Sequence, residues 1–244
     1  MKIRVSNPTT SAAMTTRIGV AARAVAATGT VIEAVNPGFG AASIEDHHDD
    51  VWAAASVTEQ VRDGEADGAD ACVIACLGDP GLHAARELAR VPVIGIAEAA
   101  FHAATLVATG FSVVTTLART CAIAEHLVLQ YGFERRCRGL HGTDLLVLEL
   151  EASASHAFDR ILACTQEALA RDRSGAIVLG CAGMADLCHA LQQRLGVGVI
   201  DGVGAAVKLA EGRVALGLST STQGDYATPI SKNDVGLAAP FSPR

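Results

Sequence analysis

Two stretches of this chain indicate its fold: residues 71–78 read ACVIACLG, and residues 176–183 read AIVLGCAG. Each is a short apolar run that ends in a cysteine and a glycine turn, and each is followed by a helix-like segment and a second apolar run. Continuous apolar runs of this length are typical of parallel strands that are buried on both faces. The repetition therefore predicts two similar lobes, each with one cysteine, Cys76 or Cys181, at the carboxyl end of a strand.

Strand-like and helix-like segments alternate along the whole chain. The strand-like runs are residues 3–5, 31–35, 71–75, 93–96, 111–115, 145–150, 176–179 and 197–200, and helical spacing marks residues 12–27, 51–62, 82–90, 99–108, 118–131, 155–171, 185–195 and 204–218. This βαβα order is typical of parallel sheets covered by helices on both faces. We therefore predict an α/β fold of two pseudo-symmetric lobes, each a parallel sheet flanked by helices. Ligands bind at the carboxyl edge of such sheets, so the active site is expected in the interlobe cleft.

The composition excludes several classes of protein. The 244 residues, 50% of them hydrophobic and only 4% aromatic, are enough for a core built from small side chains. A net charge of −7 without a basic stripe argues against nucleic-acid binding. No apolar run is long enough to cross a bilayer, and the N-terminal run is too short for a signal peptide. We therefore expect a cytoplasmic protein whose partner is a small molecule, not a nucleic acid or a membrane.

The seven cysteines are expected to be reduced thiols, because their number is odd and a chain of this size needs no disulfides. No pair has Cys-x-x-Cys spacing or a histidine set that would complete a zinc site, so no metal is expected. The run of acidic residues and histidines at residues 45–50 is interpreted as the solvated start of a helix. Five of the cysteines are interpreted as core residues: Cys72, Cys121, Cys137, Cys164 and Cys188.

Cys76 and Cys181 lie in matched settings that favour chemistry, although free cysteine is a common core residue and composition alone leaves the two interpretations about even. Asp79, followed by a proline, marks a helix start after Cys76, and Gly183 leaves backbone N–H groups exposed after Cys181. The positive end of a helix lowers the pKa of a thiol. A thiol that ionises near neutral pH can exchange a proton with a weakly acidic carbon.

Two such thiols suit the inversion of a stereocentre, because one face of the carbon must lose a proton while the opposite face gains one. Two quasi-symmetric lobes with one thiol each would supply that geometry. The conjugate anion needs hydrogen-bond donors for its oxygen, and Thr115 and Thr116, at the end of another strand, are candidates.

At these residues the chain resembles the hydantoin and allantoin racemases of the aspartate/glutamate racemase superfamily, and the resemblance covers nearly the whole chain. The stretches that carry it are VSNP (5–8), VIACLGDPGL (73–82), GIAEAA (95–100), FSVVTTL (111–117), IVLGCAGM (177–184) and VIDGV (199–203). Either cysteine motif alone is moderately specific, and the two together are highly specific.

The resemblance implies two lobes around a cleft, no cofactor, and an oligomer of identical chains. It implies a first lobe of residues 1–97 and 208–244, completed by the returning C-terminal helix, and a second lobe of residues 98–207. It makes Cys76 and Cys181 the two acid/base residues. The residues that it places around the substrate are Asn7, Gly78, Asp79, Thr115, Thr116, Ala182 and Gly183.

Four positions depart from the family pattern: Thr9 stands where Asn is common, Leu77 where Phe is common, Phe101 where Met is common, and Thr222 where Lys is common. None of them removes a catalytic group, but Thr9 lies in a loop that faces the substrate and bears on substrate preference. Residues 115–120 and 131–138 resemble the allantoin type more closely. Allantoin is therefore expected first and 5-substituted hydantoins second.

Two other functions stay open at this point. The first is a racemase or decarboxylase of an open-chain acid in the same superfamily, and the lack of Lys or Arg in either cysteine turn argues mildly against it. The second is a non-catalytic two-lobe ligand-binding protein of the periplasmic type, against which the paired cysteines and the missing signal peptide argue. Replacing the thiols separates these classes, because a binding protein would keep its affinity whereas a two-thiol racemase would lose turnover.

Overall fold

The computed structural model describes residues 1–152, 154–236, 239 and 242. Its strands are β1 (Lys2–Ser6), β2 (Val31–Val35), β3 (Ala71–Ile74), β4 (Val93–Gly95), β5 (Phe111–Thr115), β6 (Cys137–Gly142), β7 (Ala176–Leu179) and β8 (Gly198–Ile200). They form two four-stranded parallel sheets, in the orders β2-β1-β3-β4 and β6-β5-β7-β8. The two sheets have the same topology, which confirms the predicted α/β fold of two pseudo-symmetric lobes. We call the parts around them the first and the second lobe.

Helices cover both sheets. They are α1 (Ala12–Val25), α2 (His47–Ala66), α3 (Leu82–Leu88), α4 (Ile96–Val107), α5 (Cys121–Gln130), α6 (Glu149–Ala152), α7 (Ala154–Asp172), α8 (Cys188–Leu195) and α9 (Gly202–Ala215), and short 3-10 helices span Ala118–Thr120, Ala182–Leu187 and Gly224–Tyr226. Side-chain caps begin several of them, because a helix leaves its first N–H groups without partners. The Ser11 side chain accepts from Met14 N at the start of α1, and Asp201 accepts from Val203 N and Gly204 N at the start of α9.

One predicted strand is wrong. Residues 145–150 form a turn and the start of α6, and the second sheet takes its edge strand from β6 instead. The apolar run misled the prediction because its buried members, Leu145, Val147 and Leu150, face the cores of both lobes from a turn and the start of α6. Strand β6 lies at the sheet edge and is only partly buried, so its sequence lacks the continuous apolar run of a central strand.

Two helices cross between the lobes. Helix α4 follows the last strand of the first sheet but packs on β7 and β8, and α9 follows the last strand of the second sheet but packs on β3 and β4. The buried face of α9 includes Val203, Ala206, Val207 and Ala210, in one cluster with strands β1 and β3. This exchange holds the carboxyl edges of the two sheets against each other.

The remainder of the C-terminal segment is described in part. Of residues 208–244, which the resemblance assigns to the first lobe, residues 237, 238, 240, 241, 243 and 244 lie outside the described residues. No helix within the described ranges is both long and apolar enough to span a membrane.

Candidate active site

The two sequence-predicted cysteines line one cavity between the lobes. Cys76 lies two residues after β3, and Cys181 lies two residues after β7, so both come from central strands of their sheets. The cavity has a volume of about 70 Å³. Its wall includes eight of the nine residues singled out from the sequence, namely Asn7, Cys76, Gly78, Thr115, Thr116, Cys181, Ala182 and Gly183.

Burial dominates the ionisation of both thiols, and the predicted direction of their pKa shifts is wrong. Burial raises the pKa of Cys76 to about 12 and that of Cys181 to about 11. The backbone N–H groups of Gly78 and Gly183 act in the opposite direction, as expected of strand-end turns, but they do not offset the loss of hydration. Helix α3 starts at Leu82, as its helical spacing predicts, but this is three residues after Asp79, and Cys181 precedes a short 3-10 helix instead of the first turn of α8.

The charges around the two thiols differ. The charges of Cys181 and of the Asp50 and Asp79 carboxyls raise the pKa of Cys76 further. Cys181 instead faces the Arg17 guanidinium, which lowers its pKa, and Glu45, which raises it. The pseudo-symmetry of the backbone therefore does not extend to the charges around the two thiols.

Asp79 does not line the cavity and does not cap α3, so its predicted position as the cap of that helix is wrong. Its backbone is left-handed, with φ 44°, and this turn directs the carboxylate away from α3, whose cap is Gly81. The carboxylate accepts hydrogen bonds from Ala97 N and Glu98 N at 3.0 Å, and thereby caps α4. Burial raises the pKa of Asp79 to about 7.

The polar side chains of the cavity wall are mostly held by the protein itself. The Asn7 amide donates to Thr15 Oγ1 at 3.0 Å, and its oxygen accepts from Thr9 N at 3.1 Å. Thr115 Oγ1 donates to Gly180 O at 3.0 Å, which fastens the end of β5 to the Cys181 turn. These bonds order the cavity wall before any substrate enters it.

Thr116 is different from its neighbour. Its carbonyl accepts from Thr143 Oγ1 at 3.0 Å, but its hydroxyl has no hydrogen-bond partner within the described ranges. The side chain is nevertheless buried, at 3% exposure, in the wall of the cavity. A hydroxyl in this position is free to donate to a substrate oxygen.

The sequence did not predict a contact between Glu45 and Val147 over the cavity, which we call the clamp. Glu45 Oε1 accepts a hydrogen bond from Val147 N at 3.2 Å, and Arg119 pairs with Asp46 at 3.6 Å. Ile44 and Val147, on either side of this contact, both line the cavity. The start of α2 was interpreted as solvated, and Asp46 does cap it, but a bond between residues so far apart in sequence leaves no local signal.

Arg17 was also missed. It donates from α1 to Leu150 O at 2.8 Å and to Gly183 O at 3.2 Å, and it pairs with Asp186 at 2.9 Å. It thus ties the first lobe to the turn that follows Cys181. Within the described ranges, no group of three or more His, Cys, Asp or Glu side chains is arranged to hold a metal ion.

Comparison with known proteins finds relatives in both sequence and structure. The family model described as Asp/Glu/Hydantoin racemase matches residues 3–210. A hydantoin racemase of Rhizobium meliloti is 46% identical over 236 residues, which cover 97% of this chain and 98% of that protein. The structure of an allantoin racemase from Klebsiella pneumoniae superposes with a TM-score of 0.97 at 55% identity and full coverage of both chains. An allantoin racemase from Pseudomonas fluorescens gives a TM-score of 0.93 at 41% identity, covering 97% of this chain and 100% of that one.

Proposed function

We propose that this chain, which belongs to the Asp/Glu/hydantoin racemase family, is a cofactor-independent racemase of cyclic ureides, with allantoin as the first substrate and 5-substituted hydantoins as the second. The observation that carries the proposal is that Cys76 and Cys181, from equivalent strands of the two lobes, line the same cavity. The cytoplasm and an oligomer of identical chains are the expected setting.

The reaction is a proton transfer between the two thiols through the substrate carbon. The thiolate of one cysteine takes the proton from the ring carbon that lies between a carbonyl and a nitrogen, and the electron pair of the broken C–H bond delocalises into that carbonyl. The thiol of the other cysteine then delivers its proton to the opposite face. The carbon gains the inverted configuration, and thiol and thiolate have exchanged places.

The cavity wall supplies groups that stabilise the intermediate anion. The backbone N–H of Ala182 and the free hydroxyl of Thr116 are the donors available to the developing oxyanion, whereas the N–H of Gly183 bonds to Cys181 and favours its thiolate. Because the surrounding wall is already held by the hydrogen bonds of Asn7 and Thr115, little reorganisation is needed when the charge develops. A buried cavity with such donors stabilises the anion more than water does.

The cavity wall also favours a neutral ring over an open-chain dicarboxylate. The described residues that line it include no Lys, Arg or His. A dicarboxylate would lose its hydration on entry without gaining a cationic partner, which is costly, whereas a neutral ureide requires only hydrogen bonds. The similarity to proteins named allantoin racemase and hydantoin racemase supports the same substrate class.

The test is a substrate panel followed by optical rotation. Single enantiomers of allantoin, a 5-alkyl hydantoin, aspartate and glutamate are incubated with the enzyme after dialysis against a chelator. We expect loss of rotation with both rings, faster with allantoin, and none with the amino acids. Racemisation of aspartate or glutamate but neither ring would place the substrate class among open-chain acids. A loss of activity on dialysis that zinc restores would exclude a metal-free mechanism.

A further inference from the structure

Net racemisation in one direction leaves the two thiols in the wrong state for the next turnover. If the thiolate of Cys181 has taken the substrate proton and Cys76 has delivered one, Cys181 ends as a thiol and Cys76 as a thiolate. A second turnover in the same direction requires Cys181 to release its proton and Cys76 to regain one from solvent. This requirement rests on the proposed two-cysteine function, and it needs a route between the buried thiols and water.

Asp50, on the first turn of α2, is a half-buried residue beside the Cys76 turn, and its Oδ1 atom is fully buried. A Cβ built on Gly78 would lie 3.5 Å from Asp50 Oδ1 and 3.7 Å from Cys76 Sγ. The carboxyl oxygen and the thiol sulfur therefore both lie close to one point beside Gly78, near enough for one or two waters to connect them. The Asp50 charge acts on Cys76, consistent with this proximity.

Asp50 differs from the other acidic residues at the start of the same helix. Asp46 accepts from His48 N at 3.0 Å and Asp49 N at 3.1 Å, and Asp49 accepts from Glu45 N at 3.1 Å. Asp50 Oδ1 is buried, yet no group in the described part of the chain donates a hydrogen bond to it. A buried carboxyl oxygen without a donor costs free energy of folding, so helix capping does not account for this side chain.

A second cavity connects Asp50 to the exterior. It has a volume of about 280 Å³, and its wall includes Asp50, His47 and His126, of which both histidines are exposed to solvent. Gly78 and Ile123 line this cavity and the active-site cavity, so the two share a wall at the Cys76 turn. Asp50 lies at that wall, with the thiol on one side and a solvent-open, histidine-lined space on the other.

We propose that Asp50 is the proton relay of Cys76, passing protons between that thiol and the solvent of the neighbouring cavity. As a carboxylic acid it delivers its proton to the Cys76 thiolate, and it then takes a proton from water or from the imidazolium of His47. In the reverse direction of racemisation, its carboxylate takes the proton of the Cys76 thiol and releases it outward. Burial raises the pKa of Asp50 and His47 acts in the opposite direction, so the acid form is more accessible than for an exposed aspartate.

The experiment measures initial rates of Asp50→Asn over a wide range of allantoin concentration. Reprotonation of the free enzyme limits turnover only when substrate is saturating, so we expect kcat to fall about 10- to 100-fold while kcat/KM stays within about threefold. Added imidazole, a small diffusible proton carrier, should restore kcat. Asp50→Glu, which keeps a carboxyl, should retain more of kcat than Asp50→Asn. Asp63→Asn, on an exposed face of the same helix, serves as the matched control and should behave as wild type.

Two results would overturn the relay while racemisation by the wild type stands. One is an unchanged kcat in Asp50→Asn. The other is an equal fall of kcat and kcat/KM without restoration by imidazole, which would show that Asp50 acts on structure or substrate binding. The proposed function itself would be excluded if the wild type did not racemise the rings, or if the cysteine variants still did. Either result would exclude the relay as well.

Discussion

The Tyr131 hydroxyl donates a hydrogen bond to Asp79 Oδ2 at 2.9 Å, and this bond joins the end of α5 in the second lobe to the turn that carries Cys76. The same carboxylate caps α4, so one buried side chain connects three elements around the cavity. Gly95 is required beside it, because a Cβ there would lie 2.2 Å from Asp79 Cγ. Asp79 therefore positions the Cys76 turn without touching the cavity.

Asp79 should make the stability of the protein depend on pH. Burial raises its pKa from 3.8 to about 7, so the folded protein keeps a proton that the unfolded chain releases, and this contribution to stability is lost as the pH rises from about 4 to about 7. Relative to Asp79→Asn, the free energy of unfolding of the wild type, measured with urea, should fall across that window. Tyr131→Phe removes a bond that lowers the Asp79 pKa, so it should extend the window to higher pH. A pH-independent difference would contradict the prediction.

Removal of either cysteine of the cavity should abolish racemisation. Cys76→Ser and Cys181→Ser should each reduce the rate by about 100-fold or more, because a positioned acid or base is lost. Each variant should still exchange the substrate proton with deuterium for one enantiomer only, which NMR in heavy water detects. Cys164→Ser, on α7 and outside the cavity, should keep the wild-type rate. A Cys76→Ser or Cys181→Ser variant that racemises like wild type would exclude the two-base mechanism.

The rate should rise toward alkaline pH. The reaction needs one thiolate and one thiol, and burial raises the pKa of Cys181 to about 11 and of Cys76 to about 12. Below these values kcat/KM should increase about tenfold per pH unit, and it should decline only when both thiols ionise. Initial rates across the pH range in which the enzyme stays folded test this. A plateau that begins near neutral pH would contradict it, since it would require a thiolate far more stable than the buried setting allows.

The clamp between Glu45 and Val147 should contribute to substrate binding. Glu45→Ala removes the acceptor of the Val147 N–H and should raise KM about 2- to 10-fold, as expected for one hydrogen bond. Glu45→Gln removes the same charge near Cys181 but keeps an acceptor oxygen, so it should bind more like wild type. The comparison of Ala with Gln isolates the hydrogen bond from the charge. Equal KM values for the two variants would show that the clamp does not act through this bond.

Sequence pattern and tertiary structure contributed differently to the fold. Seven of the eight predicted strands coincide with strands of the structure to within a residue or so, because central parallel strands are buried on both faces and read as apolar runs. The run at residues 145–150 has the same composition but lies in a turn, where Val147 packs against the first lobe. An apolar run in the sequence indicates that its residues are buried. Whether the buried residues form a strand depends on the path of the backbone in the folded protein.

By itself, the sequence determined the two-lobe α/β architecture, the family, and the choice of Cys76 and Cys181 as the two cysteines of one cavity. Each of these depends on short contiguous motifs that recur along the chain. Tertiary structure alone decided the direction of the thiol pKa shifts, since helix starts act locally but desolvation depends on everything packed around a group. It also decided which atoms lie beside Asp79, Glu45 and Asp50. Each of these carboxyls acts on atoms brought to it by folding, and separation along the chain leaves no trace of such contacts in local sequence.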